Sequence, residues 1–299
     1  MKSAAPADAP PRRGRVIVSH GAEIVARLDG ELVSCQASRR AGRCVCGDQV
    51  QVSTDSPPRL VKIEPRESVF PRADRRGRPR VVAANLARVV VVVAPRPEPN
   101  RDLINRYLVA CHSLELPVVL CVNKWDLVTD ENRGPWEQRL ALYHSLGYPV
   151  CRTSTKGPPE LEELKPLITE GPAILVGQSG VGKSSLVNAL LPDLDLRTRS
   201  ISRATRKGRH TTTSTTWYHR PDGGPIIDSP GVWEYGIWDM PGEDIRAGFI
   251  EFAEHAQLCR FANCTHVAEP DCAVSAAAGR GEIDPERLAS YRRILAALA

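Results

Sequence analysis

Two short stretches carry the residue types that handle phosphates and purines. In GQSGVGKSS (177–185), Gly177, Gly182, Lys183 and Ser184 satisfy G-x-x-x-x-G-K-[ST] between the apolar run AILV and the helical run SSLVNALL. A strand that feeds such a loop into a helix aims backbone N–H groups and a helix N-terminus at phosphate oxygens. Lys183 would neutralise the β- and γ-phosphates and the Ser184 hydroxyl would bind Mg²⁺, with Gln178, Ser179, Gly180, Val181 and Ser185 completing the cradle. Earlier in the chain, VNKWDL (122–127) sets Asn123, Lys124 and Asp126 directly after the apolar run PVVLCV. Side chains there stand at the carboxyl end of a strand, where open α/β sheets bind ligands. A carboxylate at Asp126 can accept from both the ring N–H and the exocyclic amine of guanine. Adenine has no donor at those positions and would strand the charge, at a cost of roughly several kcal/mol. RTSTK (152–156) follows the next strand and offers Ser154 and Thr155 as a companion loop behind the base.

The segments that would complete such a site lie downstream. IIDSPG (226–231) gives Asp228 and Gly231 a D-x-x-G spacing, so that Asp228 can hold the Mg²⁺ shell and the Gly231 N–H can meet a γ-phosphate. RKGRHTTTSTT (206–216) offers a threonine to close over the same ion; Thr212 is the candidate, with Thr211 one register away. A glutamine that orients the attacking water often follows D-x-x-G. Here Val232 takes that place and cannot hydrogen-bond, so unaided hydrolysis is expected to be slow. His210 is the nearest imidazole able to position or deprotonate water, a solvated loop histidine being its other reading.

A third constellation is CRFANCTHVAEPDC, in which Cys259, Cys264, His266 and Cys272 are spaced C-x4-C-x-H-x5-C. Three thiolates and an imidazole make a closed tetrahedral set, which suits one structural Zn²⁺ and leaves no open position for catalysis. Such an ion would stabilise a small, poorly cored segment. Cys44 and Cys46 have no nearby partners and read as strand residues.

Positioning these residues takes more than one domain, and 299 residues allow two or three. Residues 1–13, from MKSAAPADAP onward, read as a disordered tail without the apolar run of a secretion signal. Short alternating runs between 14 and 65 (RVIVSH, EIVARL, ELVSCQA, DQVQVS), divided by turn signals, predict a small antiparallel barrel. Residues 66–80, rich in arginine and proline, read as a basic linker. From 81 to 238 continuous β-branched runs alternate with helical ones, the grammar of a parallel α/β sheet. From 239 to 299 the pattern is helical. The excess of five Lys and Arg over Asp and Glu suits an acidic partner. Arg72, Arg75, Arg76, Arg78 and Arg80 form one basic cluster, and Arg197, Arg199, Arg203, Arg206, Lys207 and Arg209 another. No run reaches the twenty or so apolar residues that span a bilayer, so a cytoplasmic protein is expected, without a membrane partner.

The order base loop, companion loop, phosphate loop, threonine segment, D-x-x-G is that of the circularly permuted GTPases. With GQSGVGKSS, GRHTTTSTTW, IIDSPGVWEYGIW and CRFANCTHVAEPDC, the chain resembles the bacterial ribosome small subunit-dependent GTPase A family (RsgA, also called YjeQ or EngC) over all but its first dozen residues. The resemblance implies an α/β, circularly permuted P-loop GTPase domain behind an N-terminal OB-fold barrel and ahead of a C-terminal helical zinc-binding domain. It also implies the cofactors, Mg²⁺ with GTP and one structural Zn²⁺. The implied activity is GTP hydrolysis, stimulated by the small (30S) ribosomal subunit and its rRNA late in that subunit's maturation, by a monomer, with His210 implicated in hydrolysis. Gly180 stands where some related permuted GTPases have an asparagine associated with potassium, a departure from their pattern. The alternative that Val232 leaves open is a GTP-gated RNA- or ribonucleoprotein-binding module with little turnover. After Gly231 the chain runs through EYGIWDMPGEDI straight into the cysteine-bearing segment, a covalent route from γ-phosphate to metal cluster.

Overall fold

The computed structural model describes residues 10–20, 23–37, 39–74, 76–100, 102–191, 215–220, 222–229 and 240–297. Its strands are β1 (Arg12–His20), β2 (Glu23–Leu28), β3 (Glu31–Gln36), β4 (Gln49–Val52), β5 (Leu60–Ile63), β6 (Val69–Ala73), β7 (Pro79–Ala84), β8 (Arg88–Val93), β9 (Val118–Val122), β10 (Val150–Arg152), β11 (Ala173–Val176), β12 (Thr216–Tyr218) and β13 (Ile226–Asp228). Its helices are α1 (Leu103–Ser113), α2 (Asp130–Ser145), α3 (Lys183–Leu190), α4 (Gly242–Ala247), α5 (Phe252–Ala256), α6 (Ala273–Arg280) and α7 (Pro285–Ala296).

The central sheet runs β10-β9-β8-β11-β13, all parallel, with β12 antiparallel beyond β13. β8 explains why a polyvaline run becomes a strand buried on both faces. Val89, Val91 and Val93 join the core under α1 and α2, while Val90 and Val92 join the core under α3. The chain enters this sheet in the middle, at β8, travels outward to β10, and returns to lay β11 against the other side of β8. The connections therefore diverge between β8 and β11, and the crevice between them is where such sheets receive ligands. Spatial order in the sheet, not chain order, brings the loops after β9 and β11 together.

β1 pairs with β2 and β4, β2 with β3, and β4 with β5, and a parallel bridge from Gln36 to Arg59 joins β3 to β5. That closure, 1-2-3-5-4-1, is an OB-fold barrel. It shares the central sheet's hydrogen bonding through Val18 opposite Thr216. The basic stretch 66–80, expected as a linker, is instead part of the β6–β7 hairpin. Phe70 is buried, and Asp74 caps the turn by accepting the Arg76 and Arg78 N–H groups through Oδ1. The high Arg and Pro content masked a strand because only one side chain per pair needs to be apolar. Arg72 and Arg80 are cross-strand partners in this hairpin, and Arg43 on the barrel feels both. Burial first, then Arg80 and Arg72, hold its pKa below the ordinary arginine value. Cys44 and Cys46, expected in strands, are buried in the connection between β3 and β4, where Cys46 makes one isolated bridge to Ala83.

The C-terminal helices have a core of their own, built on Ile245, Phe249, Phe252, Tyr291 and Ile294. It docks on α1. Val109 of α1 belongs to this core, Asn105 meets Ser290 and Arg287, and Asp102 pairs with Arg293 at 2.7 Å.

Candidate nucleotide site and metal centre

The phosphate loop leaves β11 and enters α3 through Gly182, which caps the helix in the left-handed region (φ 96°). A Cβ at Gly182 would stand 2.3 Å from the Asn123 Nδ2, and one at Gly177 (φ 133°) 2.1 Å from the Val92 carbonyl oxygen. Both positions therefore require glycine. Lys183 is only 7% exposed and donates from Nζ to the Gly177 and Gln178 carbonyls at 2.8 Å each, curling over its own loop. Burial lowers its pKa to about 8, against an upward pull from Asp228. Ser184, at the start of α3, donates from Oγ to Asp228 Oδ2 at 3.3 Å. A hydroxyl and a carboxylate side by side at the mouth of this cradle fit Mg²⁺, a hard cation that takes oxygen ligands. Ser179 and Gly180 lie on the loop, Val181 is buried beneath it, and Ser185 is exposed on the first turn of α3.

The loop after β9 is tied to the phosphate loop directly. Asn123 is buried and donates from Nδ2 to the Val181 carbonyl at 2.8 Å. Lys124 adopts the left-handed conformation (φ 58°) and reaches the Gly180 carbonyl, and also the Arg96 carbonyl at 3.0 Å. Asp126 follows in a single 3₁₀ turn, and its Oδ1 accepts the Ser154 hydroxyl at 2.7 Å. Ser154 is 2% exposed, so it holds the carboxylate from below, whereas Thr155 beside it is half-buried. The other Asp126 oxygen lies 4.0 Å from Lys156. His210, Thr212 and Gly231 lie outside the described residues, as do Thr211, Val232 and the cluster from Arg197 to Arg209.

Two supporting residues, Thr153 and Tyr107, escaped the motif reading, and Gln178 has a contact the motif does not show. Thr153 donates to Asn123 Oδ1 at 3.0 Å and so fixes which way that amide points. Gln178 donates to the Pro97 and Glu98 carbonyls at 3.0 and 2.9 Å. Tyr107 accepts the Gly177 N–H at 3.1 Å. Thr153 sits inside the quoted RTSTK, but Tyr107 is one apolar-face residue of a helix and carries no sequence signal.

The second site lies in the C-terminal unit. The Sγ atoms of Cys259, Cys264 and Cys272 and the His266 ring nitrogen lie within 4.8 Å of one another. Cys259 and Cys272 are 3.6 and 3.4 Å from His266 Nδ1 and 4.0 Å from each other. Tetrahedral Zn²⁺ with ordinary bond lengths sets sulfur–sulfur distances of about 3.8 Å and sulfur–nitrogen distances of about 3.6 Å. The donor set therefore fits the ion. Supports surround it: Arg292 donates to the His266 carbonyl at 2.9 Å, Arg246 to the Cys264 carbonyl at 3.1 Å, and the Ser275 N–H to Cys272 Sγ at 3.5 Å. Glu269 accepts from the Thr265, Val267 and Ala268 N–H groups and the Thr265 hydroxyl, and these bonds hold its carboxyl at about 2.

Comparison with known proteins accords with this geometry. The RsgA GTPase family model matches residues 63–238. The small ribosomal subunit biogenesis GTPase RsgA of Marinobacter nauticus is 42% identical, covering 96% of this chain and 84% of its own. That of Azotobacter vinelandii is 43% identical over 97% of this chain and 86% of its own. Among solved structures, YjeQ from Thermotoga maritima superposes with a TM-score of 0.76 at 29% identity, over 96% of this chain and 98% of that one. YloQ, described as a circularly permuted GTPase, shares the fold with a TM-score of 0.73 at 23% identity, over 99% and 98% of the two chains. The chain belongs to the RsgA GTPase family.

Proposed function

We propose that this protein binds GTP across the loops after β9 and β11 and hydrolyses it to GDP and phosphate on the small ribosomal subunit, late in that subunit's maturation. The observation that carries the reading is the bond from Asn123 to the Val181 carbonyl, which joins a guanine-reading loop to a phosphate loop. Asp126, held by Ser154, would take the two guanine donors, and Thr155 would line the base. The N–H groups from Gly177 to Ser185 would receive the phosphates, with Lys183 released from its own loop carbonyls onto the β- and γ-oxygens. Ser184, Asp228 and Thr212 would hold Mg²⁺, which supplies charge neutralisation on the phosphates when bound. Gly231 would meet the γ-phosphate and His210 would orient the attacking water. Cys259, Cys264, His266 and Cys272 would hold one structural Zn²⁺.

The relatives' names point to the small subunit as partner and hence to the cytoplasm. An rRNA contact is supported by Arg43, Arg72 and Arg80, which converge without a carboxylate partner among the described residues. Like charges placed directly across a strand pair destabilise it unless an anion lies between them, and a phosphate backbone supplies one. The second reading, a GTP-gated binding module with little turnover, draws on Val232. GTP turnover with and without purified small subunits separates the two. Stimulation by the subunit is expected, and a rate indifferent to it would favour the module.

A further inference from the structure

The phosphate loop has a support outside its own motif. Tyr107 on α1 is fully buried (0% exposed), and its phenol oxygen accepts the Gly177 N–H at 3.1 Å. Burial pushes the phenol pKa up, which favours the protonated hydroxyl. Gly177 opens the loop at φ 133°, with the Val92 carbonyl oxygen crowding its Cα. Between that carbonyl and the Tyr107 hydroxyl, the first peptide of the loop is held in one orientation.

The helix bearing Tyr107 is itself fixed from the C-terminal side. Asp102 receives Arg293, Asn105 meets Ser290 at 2.7 Å and Arg287 at 2.6 Å, and a Cβ at Gly248 would lie 2.6 Å from the Val109 Cα. The segment leading into α1 also bears on the loop, through Gln178 on the Pro97 and Glu98 carbonyls.

The geometry points to Tyr107 as a positioning residue for nucleotide binding: it takes up a loop N–H that points into the core and so keeps the loop in the form ready for phosphate. The inference rests on the nucleotide reading of Gly177 to Ser185. Without the hydroxyl, the Gly177 N–H is left buried and unpaired, the loop turns to satisfy it, and the binding-competent fraction falls. GDP and GTP should suffer alike, because Gly177 precedes the residues assigned to the γ-phosphate.

The test is Tyr107→Phe in the full chain, with calorimetric affinities for GDP and GTP and steady-state turnover. Both Kd values and KM are expected to rise about ten-fold, with kcat at saturating GTP unchanged. Tyr143→Phe is the control, since it removes another buried phenol hydroxyl, bonded to Asn105 at 2.8 Å. It should lower the melting temperature and leave both Kd values alone. Unchanged affinity in Tyr107→Phe, or equal losses in the two variants, would overturn the inference while wild-type binding leaves the nucleotide reading intact. A wild-type chain that binds no GDP would remove both. Should Tyr107→Phe fail to fold, amide exchange in the wild type decides: protection of Gly177 matching Val176 supports the role, and exchange at an open-loop rate refutes it.

Discussion

Asn123 and Val181 stand 58 positions apart in the chain and meet through a 2.8 Å bond from the side-chain amide of one to the carbonyl of the other. In the sheet, β8 alone separates the two strands that carry them, so permuting the chain leaves their relation intact. The proposed nucleotide site is thus a property of strand adjacency. Thr153 and the glycine at 182 keep the bond in place, one by orienting the amide and the other by leaving room for it.

On the proposed reading, Asp126 sets base choice. Xanthine carries a carbonyl where guanine has its exocyclic amine, so an amide at 126 offers a donor where the carboxylate offers an acceptor. Asp126→Asn is expected to weaken GDP binding by about 100-fold or more and to gain affinity for xanthosine diphosphate. Competition binding with the two diphosphates checks this, and retained guanine preference would contradict it.

If Lys183 meets the phosphates as proposed, binding should depend on pH. The lysine's pKa is lowered to about 8 in the nucleotide-free protein because burial disfavours the charged form. A polyphosphate beside it favours the ammonium and raises that pKa, so the complex takes up a proton near pH 8. Affinity should be full below pH 8 and fall as pH rises through and above it. Calorimetry in buffers of different ionisation enthalpy should show proton uptake around pH 8 to 9, and uptake should vanish in Lys183→Met.

The metal cluster should be separable from the sheet. Elemental analysis is expected to find one zinc per chain in the wild type and near none in Cys264→Ser. Because the helical core beside the cluster is small, loss of metal should abolish amide protection between 249 and 283 while β8, β9 and β11 keep theirs. Full protection in metal-free protein would contradict the assignment.

Arg287 is a buried tie from the C-terminal helices to Asn105 of α1. It is 2% exposed, bonded to Glu251 at 2.6 and 2.8 Å and to Asn105 at 2.6 Å, and its guanidinium lies 4.5 Å from the Phe249 ring centre. Removing one partner of a buried pair leaves the other charge uncompensated, so Arg287→Ala should cost about 3–5 kcal/mol. Arg287→Lys should recover little of it, since an ammonium cannot reproduce the two-pronged bond to Glu251. Denaturant melts of the two variants provide the check.

Glycine and lysine at fixed spacing mark the proposed phosphate loop because its backbone geometry admits few other residues, and the cysteine spacing marks the candidate metal set because coordination geometry is rigid. The barrel strands β1 to β4 are legible from alternation. β5 is not, being four residues with a buried leucine and two exposed neighbours. The β6–β7 hairpin is hidden by its arginines: Arg72 and Arg80 face each other across the pair, and Arg78 binds Asp74 at the turn. Tyr107 and Thr153 were illegible for another reason: their roles depend on bonds across strands and helices, and no local pattern encodes which buried hydroxyl faces which loop.

The most direct measurement is calorimetric titration of the full-length, nucleotide-free chain with GDP and with ADP in the presence of Mg²⁺. If Asn123, Asp126 and Lys183 act on one ligand, GDP should bind at least about 100-fold more tightly than ADP. Equal affinity for the two would contradict the shared site.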